Sequence, residues 1–217
     1  MQTKSNVEEF RENYKSSLMS KYYNGYLHYL FTFLVAISII SLILLQLENF
    51  QMIELMALPI AFFLANLVEY LAHRFMLHRK TSITKLAYRE HTLRHHFYFT
   101  HDNIVIENHK DLHRVLFPWF GILFFVGIIG LPTAFLMSKI GGRNFGLIIW
   151  ASEIFYFLTY ETFHLICHLN DSNIIFRFKF LKSVKEHHQN HHNLQLMADK
   201  NFGIVGGLFD YLFKTKT

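Results

Sequence analysis

Cysteine occurs once in 217 residues, as Cys167, which excludes an internal disulfide and fits a reducing compartment. Its expected role is to fill space in the last apolar segment. Charge is absent from residues 26–46 and from residues 115–137. Residues 52–72 carry only Glu54 and Glu69, near their two ends, and residues 144–166 carry only Glu153 and Glu161. Each stretch is about 20 residues, which as helix covers the roughly 30 Å hydrocarbon core of a bilayer. Runs this poor in charge argue against the buried helices of a soluble protein. The opening MQTKSNVEEFRENYKSSLMSKYY lacks the charged, then apolar, then small-residue order of a cleaved signal. Low-complexity sequence and internal sequence repeats are missing as well.

The pattern reads as an all-α integral membrane protein, one domain over residues 1–217. About four transmembrane helices (26–46, 52–72, 115–137 and 144–166) form two hairpins. A polar N-terminus, 1–25, precedes them, and two histidine-bearing segments, 73–114 and 167–217, follow the hairpins. Those three polar parts hold 19 of the 21 Lys and Arg residues; only Lys139 and Arg143 lie in the opposite turns. The positive-inside rule then places both termini and the histidine segments in the cytoplasm, as a helical cap. The net charge of +5 is explained by basic residues beside anionic headgroups and calls for no nucleic-acid partner. Residues 85–97 and 177–192 read as helix, the second lying on the membrane surface or capping the histidines. Pro118 and Pro132 fall in the third span, harmless near its start and liable to kink it later.

Histidine is abundant where charge is not. Ten of 15 histidines form four clusters: His73 and His78; His91, His95 and His96; His164 and His168; His188, His191 and His192. Each cluster sits at or just past the tail of an apolar segment. Imidazole is poorly suited to a lipid-facing surface and binds borderline transition metals well. On a helix, positions four apart share a face, which suits His91 with His95, His164 with His168, and His188 with His191 and His192. His73 and His78, five apart, converge only if the helix ends or bends between them. Ten nitrogens exceed the needs of one ion and match two metals, with four or five imidazoles each.

Several chemistries lack their residues. No histidine is followed by Glu, so there is no H-E-x-x-H of a zinc protease. The soluble di-iron bundles need two Glu-x-x-His motifs, and only Glu161-Thr-Phe-His164 is present. Glu161 and Glu69, four before His73, read instead as carboxylates that orient ligand imidazoles. A histidine-rich membrane metal-binding or transport protein, the non-enzyme alternative, would need ligands near the bilayer midplane. His187 points to a different face from His188 and is a supporting group or an alternative ligand. His28 reads as interfacial; His109 and His113, flanked by charge, read as surface.

The order HRFMLH, HTLRHH, HLICH, HHQNHH, then NFGIVGGLFDYLFKT, resembles the fatty acid hydroxylase branch of the membrane sterol desaturase/fatty acid hydroxylase superfamily. RVLFP at 114–118 and the Tyr160-to-His168 pattern add to the likeness with fatty acid 2-hydroxylases. The second box has three residues between its first two histidines where those enzymes have two. The resemblance covers about residues 68–214. It implies that His73, His78, His91, His95, His96, His164, His168, His188, His191 and His192 hold two iron ions. It also implies that dioxygen and two electrons are used to hydroxylate the fatty acyl chain of a bilayer lipid. Iron suits that redox work; zinc does not, although imidazole sites take it up on isolation. Neither a Rossmann fingerprint nor room for a haem domain is found before the first span. Electrons are therefore expected from a separate protein, a ferredoxin or small cytochrome with its reductase. A desaturase, or a sterol- or carotenoid-type hydroxylase, would use the same centre.

Overall fold

A computed structural model describes residues 4–217, and among them every regular element is helical. The chain forms two compact units. It passes from one to the other four times, after residues 25, 65, 116 and 161.

The first unit comprises Tyr26–Ala65 and Phe117–Glu161. Among the described residues, three helices are long and apolar enough to cross a membrane: Gly25–Leu44, Met52–Leu77 and Gly121–Gly141. Arg143–Cys167 is as long, with 25 residues, but richer in polar side chains and not among them. The third span, read as 115–137, begins later than expected. Pro118 biases its neighbour away from the helix and has no N–H to give, and Leu116 is already extended. Inside the unit, Ala36, Ile43, Ile122, Ile154 and Phe157 pack together, and Ala57 and Ala61 let Ile148 and Ile149 approach. Outside, Leu27, Leu34, Leu42, Phe62, Ile128 and Phe135 are exposed, an apolar surface that lipid satisfies and water does not. Asn144 fastens the far turns. Its Nδ2 donates to the Glu48 carbonyl at 2.7 Å and to Glu54 Oε2 at 3.0 Å.

The second unit comprises the chain up to Gly25, Asn66–Leu116 and Thr162–Thr217. Its N-terminal helix, Lys4–Leu18, is no free polar tail: Val7, Arg11 and Tyr14 are buried. Tyr14 packs with Tyr98, Phe99 and Val115, and a separate cluster joins Tyr70, Phe202 and Phe209. The expected helices at 85–97 and 177–192 are found as a helical run over 85–98 and as Lys179–His191. The second of these buries Val184, Lys185, His188 and His191, so its inner face is committed to the unit rather than free.

Two stretches of this unit are wound as π-helix, His73–Leu77 and Arg89–His95. A π turn closes its hydrogen bonds between residues five apart, so such residues stack one above the other. That local winding decides which histidines meet.

Candidate metal centre

The histidines form two sets. His73, His78, His91, His96 and His191 bring one ring nitrogen each within 4.8 Å of all the others, and His95, His168, His188 and His192 do the same. His164 stands beside the second set, its Nε2 3.2 Å from that of His95 and 3.3 Å from that of His168. The nine residues of the two sets, and His164, are all buried.

The partition differs in part from what helical spacing predicts. His91 and His95, four apart, go to different sets, and His91 joins His96 instead. His188 keeps His192, but His191 joins the other set. His73 and His78 converge, as expected, where the helix ends between them: it winds as π from His73 and stops at Leu77. The π winding at 73–77 and 89–95 brings residues five apart to one face, which accounts for His91 with His96 and for His73 with His78; His188 and His191 part on an α-helix, where they are three apart. The i,i+4 pairs survive where the helix is α, at His164 with His168 and at His188 with His192.

Within the first set the Nε2 atoms of His73 and His91 lie 2.9 Å apart, and those of His78 and His191 also 2.9 Å. His91 Nε2 is 3.1 Å from those of both His78 and His96. In the second set, Nε2 separations are 3.1 Å for His95–His192, 3.0 Å for His188–His192 and 3.3 Å for His168–His188. Nitrogens held about 2.1 Å from one shared ion lie about 3.0 Å apart at right angles and about 3.4 Å apart in a tetrahedron. The observed spacings match that shell.

For five of the rings the opposite nitrogen fixes the tautomer, and between His95 and His192 it rules out a hydrogen bond. Nδ1 of His73 donates to the Phe202 carbonyl at 2.5 Å, that of His95 to Arg114 at 2.7 Å, and that of His168 to Ile104 at 2.7 Å. His191 donates to Lys200 at 2.9 Å and His192 to Phe99 at 2.5 Å. A carbonyl only accepts, so each of these Nδ1 atoms carries the proton and each Nε2 a bare lone pair. Lone pairs converging at 3 Å repel in a dry interior unless a cation lies among them. Protonation is no remedy. Burial, reinforced by neighbouring histidines, pushes His91, His95, His96, His168, His188 and His191 well below the ordinary imidazole range. His192 is pushed down to about 3 by the same causes, burial first. Neutral, oriented imidazole is the form that binds a metal.

The expected carboxylates hold backbone. Glu69 accepts from the Ile204 and Val205 amides, and Glu161 Oε1 accepts from the Phe117 amide at 3.1 Å. His187 Nε2 lies 3.2 Å from Asp210 Oδ2. Asp210, not singled out from the sequence, also accepts from the Phe202 and Gly203 amides at 2.9 and 2.6 Å and from Thr215 at 2.7 Å. Glu69 and Asp210 thus shape the same NFGIVGG loop that aims His73. Gly207 (φ +60°) lets that loop close, and at Gly203 a Cβ would lie 2.9 Å from the Gly207 Cα. The signal for Asp210 was present in the sequence as FGIVGGLFD, an acid following a glycine-rich turn. His28, His101, His109, His113 and His187 belong to neither set. His28 is bonded to the Phe117 backbone, His101 to Asp102, and His113 to the Tyr14 hydroxyl at 2.9 Å.

Comparison with known proteins gives a family and two relatives. The fatty acid hydroxylase family model matches residues 58–215. A human protein named fatty acid 2-hydroxylase is 26% identical over 158 residues, 71% of this chain and 38% of the human one. A protein of the same name from Macaca fascicularis is 26% identical over 156 residues, 70% of this chain and 37% of that one. The chain therefore spans under two fifths of the length of the curated relatives it matches. No solved structure gives a significant match.

Proposed function

The chain belongs to the fatty acid hydroxylase family, and from that premise we propose a membrane-bound, dioxygen-dependent hydroxylase that holds two iron ions and acts on the fatty acyl chain of a lipid. The observation that carries the reading is the pair of converging Nε2 sets in a buried site, with the Nδ1 of His73, His95, His168, His191 and His192 each held by a backbone carbonyl. Bound iron supplies the redox chemistry with dioxygen that an unactivated C–H bond requires, since such a bond has no acidic proton for a base to take.

The protein's own work is to orient and to exclude. Carbonyls of Phe202, Arg114, Ile104, Lys200 and Phe99 fix ring tautomers and directions. His73, His78, His91, His96 and His191 would hold one ion; His95, His164, His168, His188 and His192 would hold the other. Burial of every one of these rings keeps bulk water away, which strengthens electrostatic interactions inside the site and suppresses side reactions there. The apolar helices offer a route by which an acyl chain enters from the bilayer. A four-span topology with both termini and the metal centre in the cytoplasm completes the proposal, and electrons come from a separate carrier protein.

The test is turnover of reconstituted membranes under isotopically labelled dioxygen, with a ferredoxin or small cytochrome and its reductase. One labelled oxygen gained on a fatty acyl chain is expected. Loss of two hydrogens without label would make it a desaturase, and turnover without oxygen or reductant would overturn the oxygenase reading.

A further inference from the structure

Two of the three carbonyls that aim the second histidine set lie on a stretch with little regular structure of its own; the third, of Arg114, lies in the helix Leu112–Val115. Phe99 directs His192 and Ile104 directs His168, and both sit within residues 98–107, where the backbone bonds are few: Phe99 N to the His95 carbonyl, the bridge between Thr100 and Asn103, and Ile106 N to the His168 carbonyl. A backbone of this kind holds a carbonyl to a fraction of an ångström only when something else fixes it.

Arg11 does so. Its Nε donates to the Tyr98 carbonyl at 2.9 Å, and its Nη2 to the Asn103 carbonyl at 2.7 Å and the Val105 carbonyl at 3.4 Å. Its Nη1 pairs with Glu107 at 2.9 Å, and the guanidinium lies 5.2 Å from the ring centres of both Tyr98 and Phe99. The side chain is 3% exposed. One rigid fork therefore grips the backbone immediately before Phe99 and on both sides of Ile104. The helix that carries it is seated independently. Tyr14 packs edge-on against Tyr98 at 5.7 Å, and Lys15 reaches Asp111 at 3.3 Å. Asp111 is buried and accepts from the Tyr98 hydroxyl and the Glu107 and Asn108 amides, so it ties down the same stretch from the other side. The first set is aimed from elsewhere: His73 and His191 donate to Phe202 and Lys200, in the segment organised round Asp210. Residues 4–18 also lie outside the stretch that matches the family.

We propose that Arg11 is a positioning residue for the second histidine set alone, and that the N-terminal helix is a clamp on which one of the two metal sites depends. This rests on reading each set as a metal site. The clamp acts through geometry: it holds two carbonyls, the carbonyls hold two imidazoles, and misaimed imidazoles bind an ion less tightly.

The test uses full-length, metal-free protein in detergent, titrated with cobalt(II) under anaerobic conditions and followed by visible absorption and calorimetry. Wild type should take up two equivalents. His78→Ala should leave the second site and His192→Ala the first, one equivalent each; uptake indifferent to both would overturn the metal reading, whatever Arg11 does. In the His78→Ala background, adding Arg11→Ala should weaken the remaining site by about 10-fold or more. In the His192→Ala background it should leave affinity within about twofold. Equal weakening in both backgrounds would make Arg11 a general stabiliser, and no weakening in either would make the clamp irrelevant; each result overturns the proposal. Arg11→Lys keeps the charge opposite Glu107 but cannot bridge Tyr98 and Asn103, so it should behave like the alanine variant. It carries the same comparison if Arg11→Ala does not fold, and full retention of affinity by Arg11→Lys would also overturn positioning.

Discussion

His95 and His192 face each other through Nε2 atoms 3.1 Å apart, while the Nδ1 of each donates to a backbone carbonyl, Arg114 for one and Phe99 for the other. Neither ring has a proton to give its neighbour. Two acceptors at hydrogen-bond distance in a buried site store repulsion, and a cation between them converts it to attraction. Removing metal with a strong chelator should therefore lower the melting temperature of the purified protein, and returning a divalent ion should restore it. Linkage gives the scale: about 2.7 kcal/mol at a free ion concentration 100 times the dissociation constant. Identical melting curves with and without metal would contradict the site.

Acid should destabilise the metal-free protein well above the range where carboxylates titrate. Outside the membrane helices, burial keeps His91, His95, His96, His168, His188 and His191 well below the ordinary imidazole range, and His192 near 3. Unfolded, the same side chains titrate near 6.5. Between about pH 6.5 and their folded values the unfolded chain binds more protons, so stability is full above about 6.5 and falls as pH drops. Each such histidine contributes a slope of about 1.4 kcal/mol per pH unit. Chemical denaturation at pH 7.5, 6.0 and 5.0 measures it; a flat profile would mean the imidazoles are hydrated.

Asp210→Ala should cost on the order of 3 kcal/mol, because it strands the Phe202 and Gly203 amides and the Thr215 hydroxyl in a buried place. Burial alone would raise this carboxyl, yet the bonds from His187, Gly203, Thr215 and Phe202 hold it below its ordinary value. Metal uptake at the first set should weaken with it, since Phe202 aims His73. Calorimetry and metal analysis on the same sample separate the two effects.

Sidedness follows from the charge bias of 19 basic residues against two. Reporter fusions after residues 50, 110, 141 and 217 should read outside, inside, outside, inside. An inside signal at residue 50 or 141 would break the four-span arrangement.

Much of the site was legible in the sequence because its raw materials are composition and order. Histidine-rich boxes beside apolar segments mark candidate ligands, and the α-helical pairs at 164/168 and 188/192 announce which of them meet. The partition of His91 from His95 was not legible, and the meeting of His73 with His78 was legible only as a condition, that the helix end or bend between them. They depend on π turns, which arise from how a helix is packed and leave no periodic mark in its residues. Arg11 was hidden for another reason. Its partners are mostly backbone groups far along the chain, and a carbonyl has the same identity whatever residue bears it.

The sequence by itself determined the helical class, the apolar segments, the charge asymmetry and a supply of histidines sufficient for two ions, since each of these is a local or additive property of the chain. Only the tertiary structure decided which nitrogens converge in each set and, for five of the rings, which tautomer is adopted and which carbonyl aims it. Those depend on contacts between segments as far apart as residues 99 and 192, and no spacing rule reaches across that distance.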